Sequence, residues 1–262
     1  GRKIIFEMFP LNFAEFLVFK RIKKEAAHSF ALKAQNKNKI AYERLISYYN
    51  EFLEFGGFPS VVLENDPERK KTLLSEIFTS YFEKDAKNLA DFKDMSKLRD
   101  LILLLVPRVG SRIEIGKLAN NLSVSRETVY SYLSFLEQTY FIFLLSRYSA
   151  SIDRQAAGSK KLFFCDSGIA NVLGRISQGQ LLEQSVFQNL RYVHKLNFYS
   201  KEGASEIDFI ADDKIALEVK MSMSQQDLFN LKRRSKGLHI DEAYIVTLQY
   251  SDRSEVILAI DI

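Results

Sequence analysis

The chain has 262 residues, with 37 Lys plus Arg against 33 Asp plus Glu, a formal charge of +4, 47% hydrophobic residues and only 4 Pro and 11 Gly. At roughly 100 to 200 residues per domain this allows about two domains with real cores, and the composition excludes a disordered, collagen-like or linker-dominated chain. The small positive excess does not point to a nucleic-acid partner, so any basic patch must come from local clustering.

The single cysteine, Cys165, excludes an intramolecular disulfide and fits a reducing, cytoplasmic compartment. Within Lys161-Leu162-Phe163-Phe164-Cys165 it reads as a small buried hydrophobe rather than a nucleophile. His28, His194 and His239 have no Cys or His nearby at zinc-ligand spacing. No apolar run approaches the roughly 18 to 20 residues of a membrane span, so no membrane partner is expected. The start, Gly1 to Glu7, has neither an initiator Met nor a signal-peptide pattern and reads as a strand entered mid-stream.

In chain order, residues 12 to 34 read as one helix capped by Asn12, and Ile40 to Phe55 as a second. Gly56-Gly57-Phe58-Pro59 stops that helix, and Pro67 opens a long one through Phe82. Met95 to Val106, Ile115 to Leu122 and Arg126 to Thr139 are three further helices, the last capped by Ser125, and Phe141 to Tyr148 alternates as a strand. That order is the plan of a winged helix-turn-helix. On a DNA-reading third helix the outward side chains would be Arg126, Glu127, Tyr130 and Ser131, with phosphate help from Ser125 and Arg112. The alternative is that the motif only packs against its neighbours, since Glu127 would repel phosphate.

A polar stretch, Asp153 to Ser159, suggests a domain boundary. Beyond it come a buried strand from Lys161 to Cys165, a short helical turn from Ile169 to Leu173, a helix from Gln178 to Lys195, and strands over 196–201, 205–211 and 214–220. A helix capped by Ser224 runs through Leu231, with the basic run Lys232, Arg233, Arg234 and Lys236 after it, and late strands cover 243–248 and 256–260. That basic run could track phosphate, though a charge run is usually a solvated face. The expected fold class is α+β or α/β: a helical segment over 1–70, a winged helix-turn-helix over 71–152, and an α/β unit with a mixed sheet over 153–262.

Strand period two puts Glu206 and Asp208 on one face, opposite Ile207 and Phe209, and puts Glu218 and Lys220 together opposite Leu217 and Val219. A two-residue turn at Asp212-Asp213 would throw the carboxylates to opposite sides. A three-residue loop, Asp212 to Lys214, pairs Asp208 with Glu218 and Glu206 with Lys220, and is the loop predicted. Facing carboxylates need a compensating cation or a shared proton, and a hard divalent metal held by oxygen ligands is the natural compensator. Glu183 shares a helix flank with Val186, Phe187 and Leu190 and should point inward, unless it merely complements the helix dipole.

Asp208, then Glu218-Val219-Lys220 on the next strand, after a helix acid, resembles the PD-(D/E)XK restriction-endonuclease-like core. The resemblance implies Asp208 and Glu218 as ligands of Mg²⁺ or Mn²⁺, Lys220 as the cation orienting the attacking water, Glu183 as an accessory acid and Glu206 as a neighbour of the set, for phosphodiester hydrolysis. Ile207 stands where the family has Pro. Residues 9–17, Gly56-Gly57-Phe58-Pro59, Lys161 to Gly168 and Glu206-Ile207-Asp208-Phe209 together resemble a bacterial and archaeal family of AAA-type ATPases, in which a P-loop domain precedes a winged helix and a nuclease-like domain of unknown function. By that resemblance the ATPase domain lies upstream of Gly1, and ATP is a cofactor only through it, because this chain has no G-x-x-x-x-G-K-[ST]. Arg2 falls near the end of the ATPase core in that comparison, which suggests a role at a nucleotide. The expected function is DNA binding with Mg²⁺-dependent cleavage, or alternatively a catalytically inactive module for protein docking or regulation of the ATPase; a homo-oligomer is compatible with either.

Overall fold

The computed structural model describes residues 7–24, 29–86, 94–149, 158–201 and 205–262. Arg2 and the 152/153 boundary fall outside them.

Helix α1, Phe13–Phe19, starts in a capping box: the Asn12 side chain accepts from the Glu15 amide, and the Glu15 carboxylate accepts from the Asn12 amide. The single helix expected over 12–34 is in fact two. Arg21 takes a left-handed φ of 60°, with its amide bonded to Val18 O and the Ile22 amide to Leu17 O, which closes α1 in a Schellman motif. Ser29 caps α2, Phe30–Gln35, and Asn38 caps α3, Lys39–Phe55. Gly56, at φ 73°, ends α3, and Pro59 begins the short α4, Pro59–Leu63. Helix α5, Pro67–Ser80, runs on into a π-helical turn, Tyr81–Ala86.

Next come α6, Met95–Leu105, α7, Ile115–Leu122, and α8, Arg126–Gln138, followed by β1, Ile142–Leu145. Leu118 and Ala119 of α7 and Val129, Leu133 and Leu136 of α8 are buried, as their spacing requires. Ser125 Oγ accepts from the Thr128 amide, so this hydroxyl is occupied as a helix cap.

Strand β2, Lys161–Phe164, pairs antiparallel with β1, Lys161 lying opposite Leu145. Helices α9, Ser167–Leu173, and α10, Gln178–Leu190, lead into a five-stranded mixed sheet of β3, Leu196–Lys201, β4, Ser205–Ala211, β5, Ile215–Lys220, β6, Glu242–Thr247, and β7, Val256–Leu258, in spatial order β3-β4-β5-β6-β7. The first three strands are antiparallel and the last two join in parallel, with α11, Gln225–Lys236, crossing between β5 and β6. The basic run placed after the last helix lies inside it: Lys232, Arg233, Arg234 and Lys236 belong to α11, the last three in its final turn. Nothing breaks the helix before Gly237, and cations there complement its C-terminal dipole.

One face of this sheet shares a core with α1, α3 and α10, including Phe13, Phe52, Phe187, Phe209 and Leu217. The other face packs on α11 through Ile207, Ile210 and Leu231. A further core joins α5 to α8 with β1, β2 and α9. Asp166, fully buried, ties these layers together: its carboxylate accepts from the amides of Gly57 (2.7 Å), Gly168 (2.9 Å) and Ile169 (3.2 Å) and from the Gln188 side chain (3.1 Å). A Cβ on Gly57 would fall 2.1 Å from Leu11 O, and one on Gly168 2.2 Å from Phe55 O. The short motifs around Leu11, Gly57 and Asp166 thus meet at one structural junction.

Candidate functional site: a lysine-centred carboxylate cluster

The hairpin between β4 and β5 has the predicted three-residue loop. Ala211 pairs with Ile215, Ile210 with Ala216 and Phe209 with Leu217, leaving Asp212, Asp213 and Lys214 as the turn. Asp212 and Asp213 take the two left-handed positions, φ 53° and 60°, which Asp tolerates better than most residues. The regular ladder stops at Phe209. One step further on, Asp208 Oδ2 accepts the Val219 amide at 2.8 Å, so a side chain replaces the main-chain partner and the strands part where the charged residues sit.

Into this opening reaches Lys161, from the first position of β2. Its ammonium lies 2.6 Å from Glu183 Oε1, 2.8 Å from Glu206 Oε1 and 3.1 Å from Asp208 Oδ1, and its side chain is 1% exposed. Burial works against its charge, but the attraction of Asp208, Glu183 and Glu206 wins and lifts its pKa above the ordinary lysine value. Burial, with the Asp208 charge adding to it, pushes Glu183 up to about 8 despite the adjacent ammonium. One cation cannot neutralise three converging acids, and Glu183 holds a proton more readily than an ordinary carboxylate.

The second half of the cluster is separate. Glu218 Oε1 pairs with Lys220 at 3.1 Å and Oε2 with Arg234 at 3.0 Å, and the Arg234 guanidinium also donates to the Glu206 carbonyl. Burial and then the Asp208 charge raise the Glu218 pKa. For Lys220 burial opposes the charge, but Glu218 outweighs it and the pKa rises. Glu206 therefore meets Lys161 rather than the expected Lys220, because β4 and β5 have already parted at that level.

This oxygen-rich set is chemically suited to a hard divalent cation, but it offers no open position for one. Asp208 is engaged by Lys161 and the Val219 amide, Glu218 by Lys220 and Arg234, and Glu183 and Glu206 by Lys161. A cation placed among Glu183, Glu206 and Asp208 would meet the Lys161 ammonium. As arranged, these residues do not fit Mg²⁺ or Mn²⁺, and among the described residues no group of three or more His, Cys, Asp or Glu is spaced to hold a metal.

Of the remaining candidates, Arg234 alone joins the cluster through its side chain, and Arg112 borders it. Arg126, Tyr130 and Ser131 are exposed along α8, and Arg112 is exposed while its backbone bridges to Lys161. Lys232 pairs with Glu255 at 3.0 Å, Arg233 lies over the Phe229 ring and is exposed, and Arg234 is drawn into the cluster. Cys165 is buried and burial pushes its thiol up to about 12, so it is no thiolate at neutral pH. Among the described residues no helix is long and apolar enough to cross a membrane.

Sequence reasoning missed Lys161 and Gly110. A lysine opening an otherwise apolar, fully buried strand is a readable signal, since a buried ammonium requires partners. Gly110, at φ 71°, leans on the site: a Cβ there would lie 2.7 Å from Glu183 Oε2.

Comparison with known proteins adds relatives but no activity. The chain is 30% identical to an uncharacterised protein of Methanocaldococcus jannaschii, over all of this chain and 60% of the relative, and 29% identical to an uncharacterised protein of Haemophilus influenzae, over 98% of this chain and 62% of the relative. It thus spans about three fifths of the length of the curated relatives it matches. No solved structure matches it. A family model matches residues 46–180, a stretch that includes Lys161 and ends before Glu183. That stretch is more than half of the chain, which therefore belongs to the family described as a domain of unknown function, DUF8612.

Proposed function

We propose that this chain is the C-terminal, non-hydrolytic module of a cytoplasmic AAA-type P-loop ATPase. In this reading a winged-helix unit and a PD-(D/E)XK-like unit dock partners and regulate the ATPase instead of cutting DNA. The observation that carries it is the Lys161 ammonium among Glu183, Glu206 and Asp208, a fixed internal cation at the position a metal-dependent nuclease would keep open. Support for the nuclease-like ancestry comes from the order of parts: Glu183 on a helix, then Asp208 and the Glu218-Val219-Lys220 run on adjacent antiparallel strands of a mixed sheet. A locked charge cluster holds β2, α10, β4 and β5 in one arrangement, which suits a docking scaffold.

A second reading, DNA cleavage with Mg²⁺ or Mn²⁺ held by Asp208 and Glu218, is favoured by Lys220, which is 37% exposed and lies 3.1 Å from Glu218. It requires Lys161 to withdraw. DNA contact would then run through Arg112, Arg126, Tyr130 and Ser131, and through Lys232 and Arg233 on α11. The test is to incubate the purified chain with single- and double-stranded DNA and Mg²⁺ or Mn²⁺, alongside Asp208→Ala and Lys220→Ala. The docking reading expects no cleavage above buffer. Cleavage by the wild type that both variants abolish would overturn it.

A further inference from the structure

Away from the carboxylate cluster, the end of α1, the start of α3 and the 259–261 turn line a cleft of about 960 Å³. Its wall carries Arg21, Lys23, Lys24 and Arg44 together with Asn36 and Asn38, and Ile22 and Leu45 supply apolar lining. The one carboxylate in the lining, Asp261, is already paired with Lys24 at 3.1 Å. Among the described residues neither Arg21 nor Lys23 meets an acid, and Arg44 is bonded only to the Lys23 carbonyl, at 3.2 Å. Among the described residues, three cations therefore face the cleft without counter-charge. The N-terminus of α3, capped by Asn38, opens at the same place and adds its positive dipole end. Lys33 stands nearby: burial first, and then the Lys24 charge, lower its pKa, as expected where ammonium groups are crowded.

Arg21 shows what this costs the fold. It occupies the left-handed position that closes α1, where glycine is the usual residue and an L side chain is disfavoured. Glycine there would fit the backbone at least as well, so Arg21→Gly removes the guanidinium without straining the turn. Guanidinium groups present paired donors that match phosphate oxygens, and a concave wall of like charge focuses potential on an anion. The volume is at the upper end of the roughly 300–1,000 Å³ typical of small-ligand sites.

We propose that this cleft binds a phosphate-bearing ligand of nucleotide size carrying several negative charges, held by Arg21, Lys23 and Arg44. The site does not depend on the state of the Lys161 cluster and differs in kind from a P-loop, which this sequence lacks. The test is calorimetric titration of the whole chain at low ionic strength with ATP, inorganic tripolyphosphate and sulfate, repeated on Arg21→Gly and Arg44→Gln. ATP and tripolyphosphate should bind one site competitively, sulfate should compete far more weakly at matched ionic strength, and each variant should weaken binding by about tenfold or more. Arg21→Gly should do so with an unchanged or raised melting temperature, which separates lost binding from lost folding. The proposal is overturned if neither probe binds, if both variants bind like wild type, or if sulfate competes as well as tripolyphosphate. It is also overturned if an oligothymidylate binds through these arginines while ATP and tripolyphosphate do not, since the surface would then track a strand.

Discussion

Replacing Lys161 by Met keeps most of the side-chain volume and deletes the charge, leaving Glu183, Glu206 and Asp208 converging on nothing. Removing one partner of a buried ion pair costs about 3–5 kcal/mol. Glu206 is 41% exposed and can turn to water, and Glu183, already raised to about 8 beside the ammonium, sheds its charge by taking up a proton, so most of the penalty falls on Asp208, 16% exposed, and the loss should sit near the low end, about 3 kcal/mol. Domains of this kind have about 5–15 kcal/mol in total, so the loss should be plain in urea denaturation as a lower midpoint with an unchanged slope. The effect has a pH signature. In the variant the orphaned carboxylates can shed the penalty by taking up protons, so the loss should be large at pH 8 and clearly smaller at pH 5. Adding Asp208→Asn to Lys161→Met should recover part of it at pH 8. A loss below about 1 kcal/mol, or the same loss at both pH values, would mean that Lys161 acts by packing alone and would refute the charge-lock argument.

Three further outcomes follow from the same geometry. The folded pKa of Glu183 is raised, so its favourable contribution is complete below its ordinary value near 4.5 and is lost as pH climbs through about 8; unfolding free energy should fall across that window, and Glu183→Gln should flatten the profile. Asp166→Ala leaves three buried amides without an acceptor, at about 1–3 kcal/mol each, and should lower the denaturation midpoint at least as far as Lys161→Met does. Lys220→Ala, which removes the more exposed of the two cations on Glu218, should cost less than about 1 kcal/mol, whereas Arg234→Ala removes the donor to Glu218 and to the Glu206 carbonyl and should cost about 2–3 kcal/mol; the reverse order in chemical denaturation would refute the assignment of Arg234 as the inner partner.

The helices were largely legible because their signals are local. Asn12, Ser125 and Ser224 cap where their positions suggested, and Gly56 and Pro59 stop and restart the chain as their backbone preferences demand. The three-residue hairpin loop was legible too, because the side-chain period of a strand leaves only odd loops that aim Asp208 and Glu218 at one face. The pairing beyond it was not, since β4 shifts register against β3 between Ile207 and Ile210 and sends Ile207 and Phe209 into cores on opposite faces. The break at Arg21 was not, since an arginine in a left-handed cap carries no glycine signature. The centre of the site was hidden for a different reason. Lys161 lies 22 residues before Glu183 and 47 before Asp208, and only the folding of β2 onto the sheet side of α10 brings them together. Period and spacing report neighbours along an element and say nothing of a side chain arriving from another layer.

Strand β2 sends Phe163 into the core shared by the helical layer and the sheet, and Leu162 and Phe164 into the core of α5 to α8. Four consecutive residues thus serve as a common wall of two interiors, with the lysine at one end and the Asp166 junction just past the other. Neither interior can be opened without stripping the other of a side. Heat or denaturant should therefore melt the molecule in one cooperative step, and a cut within 161–166 should release two fragments that both lose native structure.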